Sequence, residues 1–193
     1  LSSFTGSLLV MNPASGEILV MATSPTFDAN ELELKWETWM TEKNAPLLNR
    51  SVMAQYPPGT TLGSLLMANY LSHYDLSTSI PDQEWTRTFG DEDFCAILPG
   101  ISNTWGKLLS SGCIAPLVRL SQSIQPQEFL SLLINTGFGN TPDLPMEVTP
   151  PQIPSKIEDY QELFSGKSDL LVSPLQVAMM ASVISNGGYS VTP

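Results

Sequence analysis

Few side chains in this chain could carry covalent or metal chemistry. There are two cysteines, Cys95 and Cys113, and one histidine, His73, with no CxxC spacing. A zinc site needs three or four His, Cys or carboxylate ligands at short spacings, so none is expected, and no cofactor motif is legible. Cys113 lies in Ser110-Ser111-Gly112-Cys113-Ile114-Ala115, with no histidine or lysine beside it to draw off a proton. It therefore reads as a packing cysteine, and the two cysteines as buried free thiols. A disulfide is the alternative in an oxidising compartment. One short stretch has a marked local shape. Tyr56-Pro57-Pro58-Gly59 is a rigid turn followed by Thr60 and Thr61. Both are good helix N-caps.

The elements around this turn follow from pattern. Leu62, Leu65, Leu66, Asn69 and Tyr70 fall at helical spacing, so a helix should begin near Thr60. Ahead of it, Ser7–Met11 and Ile18–Ala22 are short apolar runs around the turn formers Asn12-Pro13-Ala14-Ser15-Gly16, which predicts a hairpin. Both runs are nearly all apolar, so both faces of the strands should be covered. Residues 31–43 read as a short amphipathic helix, with Leu32, Leu34, Trp36, Trp39 and Met40 among charges. Residues 75–103, with Asp91-Glu92-Asp93, read as a solvated loop, and His73 sits at a solvated helix end or loop. Helical patterns resume at Trp105–Ser110, Ala115–Ser123 and Gln127–Asn135, the last closing at Thr136-Gly137. Residues 138–169, with five prolines from Pro142 to Pro154, read as one irregular loop. A last helix starts with Ser173 as cap and Pro174 at its first position, and runs to Asn186-Gly187-Gly188. The four tryptophans, Trp36, Trp39, Trp85 and Trp105, read as core or loop anchors rather than ligand stackers.

Bulk properties narrow the class. The chain has 193 residues, 42% hydrophobic and 14% charged, a globular composition. Its 19 acidic and 8 basic residues give a net charge of −11. Such a surface repels phosphate backbones and anionic membranes, which argues against a nucleic-acid partner. No run reaches the roughly 18 apolar residues of a membrane span, and no signal-peptide pattern is visible.

Several segments together resemble one family. The run from Gly6 to Pro25 (GSLLVMNPASGEILVMATSP), continued by Phe27-Asp28-Ala29-Asn30, is similar to the opening hairpin of the transpeptidase domain of penicillin-binding proteins. Pro46-Leu47-Leu48-Asn49-Arg50 and Tyr56-Pro57-Pro58-Gly59 resemble the approach to that family's nucleophile helix. Gly137-Phe138-Gly139 and Asp143-Leu144-Pro145 resemble its mid-domain loop. Leu171–Ala178 with Ser185–Gly188 is similar to its last helix before the third motif. The closest flavour is class B, without a glycosyltransferase domain. The resemblance implies an α+β, β-lactamase/transpeptidase-like fold over 1–193, with a sheet hairpin at 1–30 and a mainly helical portion at 31–193. The C-terminal strands of the central antiparallel sheet are missing from it. It also implies a place in the bacterial cell envelope, outside the cytoplasm. The partners it implies are a peptidoglycan stem peptide or β-lactam and proteins of cell-wall synthesis. Homo-association through the exposed hairpin edge is a further expectation.

The family's three motifs are SxxK, SxN and KTG. Here Thr60-Thr61-Leu62-Gly63 stands at the first: threonine at the nucleophile position, glycine at the lysine position. Gly63 has no group to accept a proton, and a lost general base costs about 10²–10⁴ in rate, roughly 3–5 kcal/mol. The only other [ST]xxK is Thr104-Trp105-Gly106-Lys107, which follows no Pro-Pro-Gly turn and falls too late in the family's order. At the second motif, the ungapped register sets Gly112, Cys113 and Ile114 on SxN, and a shift by one sets Ser111, Gly112 and Cys113 there. Either way the asparagine is lost. No KTG occurs before Pro193. The expectation is thus a transpeptidase-like domain, non-catalytic as a pseudoenzyme or fragment. The alternatives are an enzyme acylated at Thr60 with help from further sequence, and a pure interaction module.

Overall fold

The computed structural model describes residues 4–70, 104–107, 112–122 and 124–193. His73, Trp85, the Asp91-Glu92-Asp93 stretch, Cys95, Ser110 and Ser111 lie outside them. The described residues form two compact units, each assembled from separate stretches of chain.

The first unit comprises residues 1–56, 136–151 and 171–193. Strands β1 (Gly6–Met11) and β2 (Ile18–Ser24) form an antiparallel hairpin. Its turn closes where Gly16 N donates to Asn12 O and Asn12 N donates to Glu17 O. Gly16 has φ +81, and a β-carbon on it would lie 2.2 Å from the carbonyl oxygen of Thr192. Only glycine lets the C-terminal segment pass so close. The register runs Val10↔Val20 and then Met11↔Ile18, so Leu19 is the extra residue of a bulge. The bulge lets Ile18 join Leu9, Met11 and Met21 on one face, packed against Val52, Leu175 and Met179. Leu19 is left 57% exposed.

The expectation that both strand faces are covered is overturned. Leu8, Val10 and Val20 are all exposed on the outer face. An all-apolar run carries no mark of which face has a neighbour, and among the described residues only one does.

Helix α1 (Leu32–Thr41) follows a 3-10 turn capped by Asp28, whose carboxylate accepts from Asn30 N at 2.9 Å. It buries no residue. Trp39 packs on Phe27 with ring centroids 5.4 Å apart, whereas Leu34, Trp36 and Met40 are exposed. The helix is therefore where the pattern puts it, but its apolar residues do not form a buried face and Trp36 is not a core anchor. The following loop is held by Arg50. That side chain is buried and donates to the carbonyls of Asn44, Ala45 and Leu48. A buried cation is tolerable when its donors are met in this way. The last helix of the unit, Pro174–Ser185, has the capping box its Ser-Pro start suggests. Ser173 N donates to Gln176 Oε1 at 2.8 Å, and Gln176 N donates to Ser173 Oγ at 3.3 Å.

The second unit comprises residues 57–135 and 152–170. It holds α2 (Leu62–Tyr70), α3 (Ile114–Ser121), α4 (Pro126–Leu133) and α5 (Tyr160–Ser165); the Pro174–Ser185 helix of the first unit is α6. Its buried residues include Leu62, Leu66, Leu117, Phe129, Leu163 and Phe164, with Trp105 also buried. Phe129, Tyr160 and Phe164 form one aromatic cluster, centroids 6.0 to 6.3 Å apart. α4 runs into a wide turn, Ile134–Phe138, with Gly137 at φ +122.

Helix α5 was not expected, since it lies within the proline-rich stretch 138–169 that reads as a loop. Its ends are nevertheless marked. Asp159 caps it by accepting from Gln161 N at 2.7 Å, and Gly166 closes it at φ +73. Asp159-Tyr160-Gln161-Glu162 ahead of Leu163 and Phe164, with Gly166 behind, is a start-and-stop signal that the prolines outweighed.

Candidate functional site

The Thr60 turn is built by its backbone. Pro57 and Pro58 fix φ, Gly59 takes φ +53, and a 3-10 turn, Gly59–Thr61, leads into α2. Thr61 Oγ1 donates to Pro58 O at 2.6 Å, and Ser64 Oγ donates to Thr61 O at 2.8 Å. Thr61 therefore does not cap the helix as expected: its hydroxyl closes the turn behind it instead of accepting an amide. Thr60 is half-buried at the head of the helix.

Helix α5 braces this turn from below. A β-carbon on Gly59 would meet Phe164 O at 3.4 Å, and one on Gly166 would meet Pro57 Cβ at 3.4 Å. Backbone lies on backbone here, with a positive-φ glycine on each side. Sequence reasoning missed this pairing, because it rests on the overlooked helix α5.

Gly63 sits in the first turn of α2 and is buried. Gly112 approaches Thr60 from a distant part of the sequence. A β-carbon on Gly112 would lie 3.5 Å from Thr60 Oγ1, and Gly112 has φ +65. The structure thus brings Thr60 and Gly112 together. Any L-residue at 112 would be strained, so the local backbone suits glycine and not serine.

Cys113 follows at the head of α3 and is 1% exposed; Ile114, its first residue, is buried too. Cys113 is disulfide-bonded, which overturns the free-thiol expectation for it. Cys95 is the sequence's only other cysteine. Burial was read correctly, but whether a buried thiol has a covalent partner depends on a distant segment that spacing does not reveal. A disulfide sulfur is not a nucleophile, so no thiolate chemistry resides at Cys113.

The displaced motif fares no better. Thr104–Lys107 is a helical turn in which Lys107 N donates to Thr104 O, and Lys107 is exposed. No cluster among the described residues could hold a metal ion, and no helix among them is long and apolar enough to cross a membrane. A cavity of about 110 Å³ is lined by Pro154, Lys156, Asp159, Glu162 and Lys167, among others; Thr60, Gly63 and Gly112 do not line it. Among the described residues one titration is clearly displaced. Burial, followed by Tyr70 and Glu128, pushes Tyr160 up to about 12. Its hydroxyl donates to Ile124 O at 3.2 Å.

One unit holds the hairpin, and in the other a Pro-Pro-Gly turn sets a hydroxyl beside a second loop. Residues 6–193 match the penicillin binding protein transpeptidase domain, and the chain belongs to that family. It is 26% identical over 97% of its length to the peptidoglycan D,D-transpeptidase PbpA of Mycolicibacterium smegmatis, covering 42% of that relative. Among solved structures it is similar in fold to penicillin-binding protein A from M. tuberculosis, a penicillin G acyl-enzyme complex. That likeness has a TM-score of 0.78 and 22% identity, and covers 98% of this chain and 48% of the other. It is likewise similar to the penicillin-binding protein PBP2 of Helicobacter pylori in complex with MreC. There the TM-score is 0.76 and the identity 23%, with 98% of this chain and 39% of the other covered. The chain spans less than half the length of each.

Proposed function

We propose that this chain serves peptidoglycan synthesis outside the cytoplasm as a transpeptidase-type domain that no longer transfers acyl groups. It would hold a stem peptide, or a protein of the cell-wall machinery, without turning it over. The observation that carries this reading is Gly63, buried in the first turn of α2 where the family's motif has lysine. Without a base the Thr60 hydroxyl stays protonated, and the missing proton transfer is worth about 10²–10⁴ in rate. The close approach of Gly112 to Thr60 Oγ1 favours the ungapped register, in which Gly112, Cys113 and Ile114 stand on SxN. That register has no hydroxyl and no amide side chain to relay a proton or orient a peptide. The disulfide at Cys113 suits an oxidising compartment.

A fluorescent penicillin tests the reading on the protein at its native length. The expected result is no covalent label, together with saturable binding of a synthetic stem peptide and no release of its terminal residue. Covalent label that disappears in Thr60→Ala would sink this reading and establish the Thr60 acyl-enzyme in its place. Absence of both label and peptide binding would leave protein interaction as the domain's role.

A further inference from the structure

Helix α1 is ten residues long and buries none of them. An isolated helix of that length is marginal in water. Local contacts hold this one in place. Asp28 caps the preceding turn, Lys35 pairs with Glu31 at 2.6 Å, and Trp39 packs on Phe27 with the Lys35 ammonium 5.9 Å from its ring. One stripe of the helix is left over. Glu33, Trp36, Glu37 and Met40 fall at i, i+3, i+4 and i+7, and so lie on one face. Trp36 is 49% and Met40 60% exposed. Among the described residues neither Glu33 nor Glu37 makes an ion pair. From Asp28 to Lys43 there are five carboxylates (Asp28, Glu31, Glu33, Glu37, Glu42) against two lysines (Lys35, Lys43).

We infer that this stripe docks a basic, amphipathic segment of a partner protein, one that lays an apolar side chain on Trp36 and Met40 and sets Lys or Arg against Glu33 and Glu37. Exposed Trp and Met at the centre with charges at the rim is the arrangement that concentrates binding energy in a small patch. The rim charge selects the occupant. A second copy would oppose carboxylate to carboxylate, and nucleic acid or anionic lipid would be repelled outright. The outer hairpin face, Leu8, Val10 and Val20, has no such rim and specifies no partner. The inference does not depend on whether Thr60 can be acylated.

The test uses the protein at native length and a synthetic helical peptide with leucines at i, i+3, i+4 and i+7 flanked by lysines, followed by fluorescence anisotropy. Binding should be present at low salt and weaken as salt rises. Trp36→Ala with Met40→Ala should weaken it by about tenfold or more. Glu33→Gln with Glu37→Gln should weaken it several-fold and flatten its salt dependence. None of the four is buried, so unchanged thermal unfolding confirms that each variant is folded. Leu19→Ser on the hairpin should change nothing. Equal binding by all variants, or by a peptide with glutamates in place of lysines, overturns the proposal. So does a parent dimer that the Trp36/Met40 variant converts to monomer, since the occupant would then be a second copy.

Discussion

In the unit that contains the hairpin and α6, the residues that mark the family are tied down one by one. Around Thr60 in the other unit, the positions that should carry chemistry are bare. Ser173 and Gln176 exchange two hydrogen bonds, Gln176 Nε2 reaches Asn140 O at 3.5 Å, and Tyr56 and Val172 exchange a backbone pair at 2.9 and 3.0 Å. Leu175 N donates to Ser51 O, and Thr149 Oγ1 donates to Met53 O at 2.8 Å. By contrast Gly63 and Gly112 present no side chain at all, and Cys113 is spent on a disulfide. The difference separates two kinds of constraint. Each of these scaffold contacts satisfies a backbone group, and losing one costs stability. Glycine contributes no side-chain bond to the fold at 63 or 112, and at 112 it relieves a φ of +65.

The largest expected effect lies in the scaffold. Gly137→Ala places a β-carbon 2.9 Å from Met179 Cβ and 3.4 Å from Met180 N, at φ +122. Strain and overpacking together should destabilise by about 2–4 kcal/mol in denaturant unfolding. Gly187→Ala is the matched control. It has φ +69 and nothing within 4 Å, so it should cost only the backbone term, about 1 kcal/mol. Equal costs would mean that the approach of Gly137 to α6 does not constrain the scaffold.

Next comes Gln176→Ala. This fully buried amide supplies the acceptor for Ser173 N. Its removal leaves a buried donor unmet and should cost about 1–3 kcal/mol. A cost near zero would show the capping box to be dispensable and weaken the contrast with the Thr60 region.

Smaller still is the contribution of Tyr160, the polar anchor of the second unit. Its phenol titrates at about 12 in the folded chain against an unfolded value of 10, mainly through burial and then through Tyr70 and Glu128. The folded state therefore holds the proton longer. Its stabilising contribution is full below pH 10 and is lost as pH rises from 10 to about 12. Tyr160→Phe should flatten that part of the stability profile. An unchanged slope between wild type and variant would assign it to other groups.

How far these contrasts were legible in advance depends on whether the information is local. The hairpin turn at Asn12–Gly16, the Ser173-Pro174 start and the helix after Thr60 are written in adjacent residues, and so are readable. The one-sided burial of the hairpin is not. It follows from the bulge at Leu19 and from which face meets Val52 and Leu175, neither of which an apolar run encodes. Helix α5 was hidden because the prolines ahead of it, Pro142 to Pro154, outweighed its Asp159 and Gly166 signals. At the site, the identities of Thr60, Gly63 and Gly112 came from motif order. The meeting of Thr60 with Gly112 and the bracing by Gly166 are contacts between distant segments, and only the fold supplies them.

The smallest expected effect is the sharpest test of the comparison. Thr60 is half-buried at the head of α2, and its hydroxyl makes no hydrogen bond among the described residues, while the turn around it is closed by Thr61 and braced by Phe164 and Gly166. Thr60→Ala removes a hydroxyl that the fold does not use, so it should change stability by no more than about 0.5 kcal/mol either way. Thr61→Val, which removes the 2.6 Å bond to Pro58 O, should cost about 1 kcal/mol. If chemical unfolding reversed that order, Thr60 would be a structural residue of the turn. Its side chain would then serve the turn, and the contrast between a constrained scaffold and a bare site would have to be redrawn through the turn itself.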